Sequence, residues 1–200
     1  MTKETLKNSP KVLGLDISTK TIGWALFDLK KQNLLELTHF SPVIKPKKED
    51  KIEELMLKVD AFEDKLRSYK NLGITNVIIE EPLLNSNNVW TVGTLLRYNS
   101  MISRSIYNIL GIVPKYISTY NSRKYAWPNL VNENAKGKKV LFGGLPKNID
   151  KKELIWKQVS ESEPQIVWLY TRNNTLKKEC YDQADAYTCV LGYMKKEGIW

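Results

Sequence analysis

Residues 11–28 read KVLGLDISTKTIGWALFD, two apolar runs on either side of a small polar hinge. The alternation of Ile22, Trp24 and Leu26 predicts a strand over 21–29. Val12, Leu13, Gly14 and Leu15 predict another over 11–17, joined to it by a tight turn at Ser18-Thr19-Lys20. The anomaly is Asp16. An ionised carboxylate ending an apolar run is costly to bury unless it is paired or binds a metal. Taken alone, it can also open an Asx turn with Ser18 or Thr19.

Outward from this stretch, NLLELTHF (33–40) closes a three-strand meander. The period then changes. Ile52, Leu55, Met56, Val59, Phe62 and Leu66 fall three or four apart, which predicts an amphipathic helix with Gly73 near its end. NVIIE (76–80) reads as a short buried strand. A second helical pattern over 90–110 carries Leu95, Leu96, Ile102, Ile106 and Leu110 up to Gly111, with Trp90 expected to be buried at its start. IVPKYIS (112–118) supplies a further strand, and Pro114 suits an edge. Residues 128–148, rich in Asn, Gly and Lys, are expected to form a mobile basic loop. A helix follows around 150–159, QIVWLY (165–170) is an extra strand or a packed insertion, and the last helix spans 182–195. Three strands followed by alternating helix and strand imply a mixed α/β sheet covered by helices. The expected organisation is a flexible stretch at 1–10 and one domain over 11–200.

Composition narrows the chemistry. The 200 residues carry 31 Lys and Arg against 22 Asp and Glu, a net charge of +9. Such an excess favours polyanionic partners, nucleic acid before anionic membrane. No stretch approaches the roughly 18 consecutive apolar residues of a membrane span, and MTKETLKNSP at the start lacks the apolar core of a secretory signal. Cys180 and Cys189 are the only cysteines and His39 the only histidine. A disulfide framework, a zinc knuckle, an HExxH site and a Ser-His-Asp triad within one chain are all disfavoured. An enzyme of this composition works with carboxylates, lysines, hydroxyls or bound metal.

Four acids sit where elements end or begin: Asp16, Glu80, and the pair Asp182 and Asp185, whose spacing puts both on one helical face. The last two are expected in the first turn of the final helix, where the dipole favours negative charge. Asp182 alone also suits a helix cap, and Glu80 or Glu81 a solvated strand end. Clustered carboxylates repel one another unless cations lie between them, and an all-oxygen set selects hard divalent ions such as Mg²⁺ or Mn²⁺. Two such ions about 3.5–4 Å apart activate water and stabilise the leaving oxygen of a phosphodiester.

With these residues placed, the chain resembles the RuvC family of Holliday junction resolvases, within the RNase H-like superfamily. VLGLDISTKTIGWAL resembles the family's opening strand, acid and glycine-bearing second strand; VIIEEPL resembles its second acidic strand, and DQADAYTCVLGYM its closing D-x-x-D helix. The likeness runs over most of 11–194. It implies an RNase H-like fold with a five-stranded mixed sheet in order 3-2-1-4-5, strand two antiparallel, flanked by helices. Asp16 and Glu80 then end neighbouring strands. It also implies a homodimer, with the 90–110 helix as dimer element. The implied activity is that of a Mg²⁺-dependent crossover junction endodeoxyribonuclease with two ions per site, Mn²⁺ substituting, held by Asp16, Glu80, Asp182 and Asp185. Glu80, first after the apolar run, matches the family acid better than Glu81.

The resemblance further implies basic residues at the scissile phosphate, where Lys124 and Lys151 fall. DNA contacts are expected from Lys20, Lys115, Arg123, Lys124, Lys138, Lys139, Lys147 and Lys151. Where some resolvases carry an aromatic wedge, this chain has Leu83, with Trp90 as a substitute. The long 128–148 and PQIVWLYTRNNTLKKE segments hint at a viral or divergent member, located in the cytoplasm of a bacterium or of a host. Competing readings are a less selective flap, fork or RNA-processing nuclease, and a non-catalytic DNA-binding protein of the same fold.

Overall fold

The computed structural model describes residues 9–44, 50–82, 88–146 and 148–200. Its elements in chain order are β1 (Lys11–Ile17), β2 (Ile22–Asp28), β3 (Asn33–Phe40), α1 (Lys51–Arg67), β4 (Ile74–Glu80), α2 (Val89–Leu110), β5 (Lys115–Ile117), α3 (Thr119–Ala126), a 3-10 turn (Pro128–Leu130), β6 (Val131–Glu133), β7 (Lys139–Leu141), α4 (Lys151–Ser162) and α5 (Lys178–Lys196). Strands one to five form one sheet in the order β3-β2-β1-β4-β5. β2 runs antiparallel to both neighbours, while β1, β4 and β5 are mutually parallel. This is the mixed sheet expected.

Strand alternation divides the interior into two cores. Leu13, Leu15 and Ile17 of β1 join Val77 and Ile79 of β4 beneath α1 and α2, with Phe62, Leu66, Ile102 and Ile106. Val12 and Ile78 face the other side, against Ala184, Ala186 and Val190 of α5 and Ile155 and Val159 of α4. Because successive side chains point to opposite faces, Gly14 and Asp16 share the face of Val12, and Glu80 that of Ile78. The sheet therefore carries both of its acids toward α5.

The helix α5 lies unusually close to that face. A Cβ on Gly23 would stand 1.9 Å from the Asp182 carbonyl oxygen, and one on Gly14 2.7 Å from that of Ala186. Only hydrogen fits at either position, so helix backbone rests on strand backbone.

Several expectations are corrected. β5 is three residues long and begins after Pro114, whose missing N–H keeps the chain out of the ladder until Lys115. The 128–148 stretch is not a loose loop but a 3-10 turn and a β6–β7 hairpin. QIVWLY forms only an isolated bridge from Tyr170 to Leu176 and packs Trp168 edge-on against Trp156, as an insertion. Trp90 is 83% exposed, not buried. Of the expected flexible start, Ser9 is buried, its hydroxyl donating to Asp28 at 2.6 Å; residues 1–8 lie outside the described residues, as do Leu83 and Lys147. Both cysteines are buried and free. Among the described residues no helix is long and apolar enough to cross a membrane.

Candidate active site

The β1–β2 turn is closed by Ser18, whose hydroxyl donates to the Thr21 carbonyl at 2.8 Å and accepts from the Thr21 N–H at 3.0 Å. The turn thus takes no bond from Asp16, and the Asx-turn reading falls away. β1 pairs with β4 in the register Gly14–Ile78 and Leu15–Ile79. One step further along, Asp16, the last residue but one of β1, comes within reach of the charge of Glu80, the last of β4. Glu80 accepts a hydrogen bond from the hydroxyl of Thr119, the first residue of α3. Glu81 is exposed, and its N–H is bonded to the Ile117 carbonyl at 2.9 Å.

α5 brings the other two acids. It begins at Lys178, one turn earlier than expected, so Asp182 and Asp185 lie beyond its first turn. They are therefore neither cap nor dipole partners; packing onto Gly14 and Gly23 sets their position. Asp185 is 4% exposed. Its Oδ1 accepts from the Arg123 guanidinium at 2.8 Å, and its Oδ2 lies 3.6 Å from the Lys152 ammonium, which also stands 3.7 Å from Asp182.

The electrostatics follow from this crowding. Burial, then the negative charges of Glu80, Asp185 and Asp182, push the Asp16 carboxyl well above its ordinary range. Burial and Asp185 push Glu80 up to about 7, against the Thr119 bond. Burial raises Asp182 to about 6, although Lys152 pulls the other way. Burial alone would lower Arg123 and Lys152, but the carboxylates more than reverse this and hold both cations charged.

The ready-made cage expected from the sequence is not formed by the side chains as they stand: among the described residues, no three His, Cys, Asp or Glu groups converge closely enough to hold an ion. Part of the reason is visible in the partners. Asp185 is engaged by two cations and Glu80 by a hydroxyl. The donor set nonetheless fits hard divalent ions, being all oxygen and mutually repelling. Lys152, half exposed, is the more accessible of the two counter-charges among these groups.

Arg123 and Lys152, rather than Lys124 and Lys151, meet the acids. The Lys124 ammonium lies over the rings of Tyr120 and Tyr125, and that of Lys151 over Phe142 at 5.6 Å. Neighbouring residues on a helix point about 100° apart, so an offset of one carries the charge out of the site. Arg123 is turned inward, not toward solvent. Lys115 donates to the Tyr193 hydroxyl at 2.6 Å. Lys20 and Lys152 line a cleft of about 620 Å³ that also reaches Asp182, Lys178 and Tyr181. Lys138 and Lys139 are exposed on the hairpin. Arg123, Thr119 and Lys152 were not singled out as pocket residues by sequence reasoning. For Thr119 and Arg123, helical phase within STYNSRKYA (118–126), with Ser122 and Ala126 as its buried positions, was the available signal.

Solved structures share this arrangement of strands and helices. Thermus thermophilus RuvC, in a complex with a Holliday junction substrate, superposes with a TM-score of 0.61 over 94% of both chains, at 11% identity. The fold is that of RuvC. A second Thermus thermophilus RuvC structure gives 0.55 at 14% identity, over 94% of this chain and 96% of that one. The yeast mitochondrial Holliday junction resolvase Ydc2 gives 0.60 at 12% identity, over 94% and 79%. No family model and no curated protein matches by sequence. The likeness is one of fold, a RuvC-like architecture at 11–14% identity.

Proposed function

We propose that this chain is a structure-specific endodeoxyribonuclease that resolves four-way DNA junctions by phosphodiester hydrolysis, in recombination and repair. The observation that carries the reading is the crowding of acids on one face of the sheet, where Asp16, Glu80 and Asp182 each feel the charge of Asp185, and Arg123 and Lys152 reach in to Asp185. These four residues would hold two Mg²⁺ ions, with Mn²⁺ as substitute; when bound, such ions supply an activated water and stabilise the leaving oxygen. Asp16 and Glu80 are fixed by the ends of their strands. Asp185 is oriented by Arg123, which keeps one carboxylate oxygen aimed while leaving the other to Lys152. Lys152 neutralises the pocket in the resting state and, being half exposed, is free to turn toward a phosphate.

The reading extends to a homodimer. On α2, Trp90, Leu96 and Tyr107 are exposed, and a Cβ on Gly93 would meet nothing within 4 Å. An unobstructed glycine inside a helix costs about 1 kcal/mol relative to alanine, which a closely packed partner helix would account for. Two subunits would place one site at each of two symmetric strands of a junction.

The test is cleavage of a synthetic immobile four-way junction alongside flap, duplex and hybrid substrates, with Mg²⁺, Mn²⁺ or chelator. Cutting of the junction with either metal, and none with chelator, is expected. Asp16→Asn should abolish cutting and keep junction binding. It should also raise the melting temperature in chelator, because a buried, repelled charge is removed. Identical cutting by wild type and Asp16→Asn, or none by either, would sink the nuclease reading in favour of a DNA-binding protein.

A further inference from the structure

The β6–β7 hairpin is more ordered than its composition suggests. Its tip, NAKGKK (134–139), carries three lysines and no acid. The turn is held by Asn134, whose side-chain oxygen accepts the N–H groups of Lys136 at 2.9 Å and Lys138 at 3.1 Å. Backbone bonds from Asn134 to the Lys138 carbonyl and from Gly137 to the Asn134 carbonyl, both 2.9 Å, close it further. None of the turn's bonds uses a lysine side chain. Lys136, Lys138 and Lys139 are exposed, and among the described residues none of them makes an ion pair.

The base of the hairpin is fixed to the body. Leu141 and Phe142 pack on the core beneath α5, and the Phe142 N–H donates to the Leu130 carbonyl at 2.7 Å. Phe142 has φ of +63°, in the left-handed region where a residue with a side chain costs roughly 1–2 kcal/mol. Packing must offset that strain, and it sets the angle at which the chain leaves the strand. The Phe142 ring in turn lies under the Lys151 ammonium, next in sequence to Lys152 among the acids.

We propose that this hairpin is a preformed grip for the backbone of a DNA duplex, with Lys136, Lys138 and Lys139 meeting phosphates at a fixed offset from the acids. The inference rests on the nuclease reading and adds the form of DNA the hairpin takes. A two-stranded ribbon fits the groove of a duplex, and lysines read phosphates without sequence preference. Single strands are held by stacking on aromatic rings as well as by charge, and the tip residues include no aromatic. A pre-ordered turn also loses little freedom on binding. The partner is therefore a duplex arm beside the cut, not a displaced strand.

The experiment measures binding by the Asp16→Asn protein, with and without Lys136→Gln, Lys138→Gln and Lys139→Gln together, to a four-way junction, a linear duplex and an oligo-dT strand over a range of salt. The triple variant should weaken junction and duplex binding roughly tenfold or more, and reduce the slope of log affinity against log salt by about 2 to 3, since each phosphate contact contributes about 0.9. Oligo-dT binding should change little, and a triple Lys→Arg variant should retain the full slope. An unchanged slope on duplex with intact binding would overturn the grip while leaving the nuclease reading in place. Equal loss on oligo-dT would overturn the duplex assignment. Absence of any DNA binding by the Asp16→Asn protein, with wild type cutting nothing, would overturn both. Because the substituted side chains are exposed, an unchanged circular dichroism spectrum is the expected control.

Discussion

Asp16 and Asp28 show how one strand pair treats two carboxylates in opposite ways. Asp16 is raised by burial and by other acids, and only the Lys152 charge pulls it the other way among the causes that act on it from the described residues. At Asp28 burial also opposes ionisation, but the Ser9 hydroxyl and the N–H groups of Lys31 and Lys30 outweigh it and hold the carboxyl below its usual value. A group whose folded pKa is depressed stabilises the fold above its unfolded value and loses that contribution as pH falls through the folded one. Denaturant midpoints of wild type and Asp28→Asn should therefore differ near neutral pH and converge as the pH drops below about 3.8, the ordinary aspartate value. A constant gap would mean that Asp28 acts through packing alone. At this scale the acids were legible in sequence because a charge after an apolar run is conspicuous. The inward role of Arg123, expected only as a DNA contact, and that of Lys152 were not, because each adjoins a lysine, at 124 and 151, and only the helix phase tells which one faces inward.

The elements that carry the site were legible for the same reason that they form. The apolar run of β1, the alternation in β2, and the three-or-four spacing in α1 and α2 are properties of side chains that can be read without neighbours. The start of α5 was not, because Lys178, Glu179, Cys180 and Tyr181 carry too short an apolar pattern to mark a helical turn by themselves. The β6–β7 hairpin was hidden similarly. Its turn depends on one asparagine side chain and its base on a left-handed Phe142, neither visible as hydrophobic pattern. Docking of α5 gives a sharp test. Gly23→Ala would drive a methyl into the Asp182 carbonyl, which the backbone can relieve only by lifting the helix. A loss of about 1–3 kcal/mol in denaturant melts is expected, accompanied by loss of cleavage even where the variant remains folded. Full activity in Gly23→Ala would show that the acids tolerate a displaced helix.

For the molecule as a whole, the two cores divide the labour. The α5 side of the sheet carries the acids, and the α1–α2 side offers the exposed stripe of α2. If that stripe joins two copies, Leu96→Arg should shift sedimentation equilibrium toward monomer and turn paired cuts in a junction into single nicks. A monomeric wild type at micromolar concentration would remove the dimer from the proposal. Sheet order followed from the resemblance carried by three short motifs; the homodimer was implied by that same resemblance alone, because an outer helix face reads like ordinary surface. The contact between α5 and the sheet has a practical corollary for anyone transplanting this chemistry to another scaffold. Copying four acids would not suffice. The graft must also import the two bare positions in the floor, or the ceiling that bears half of the acids will sit too high to reach.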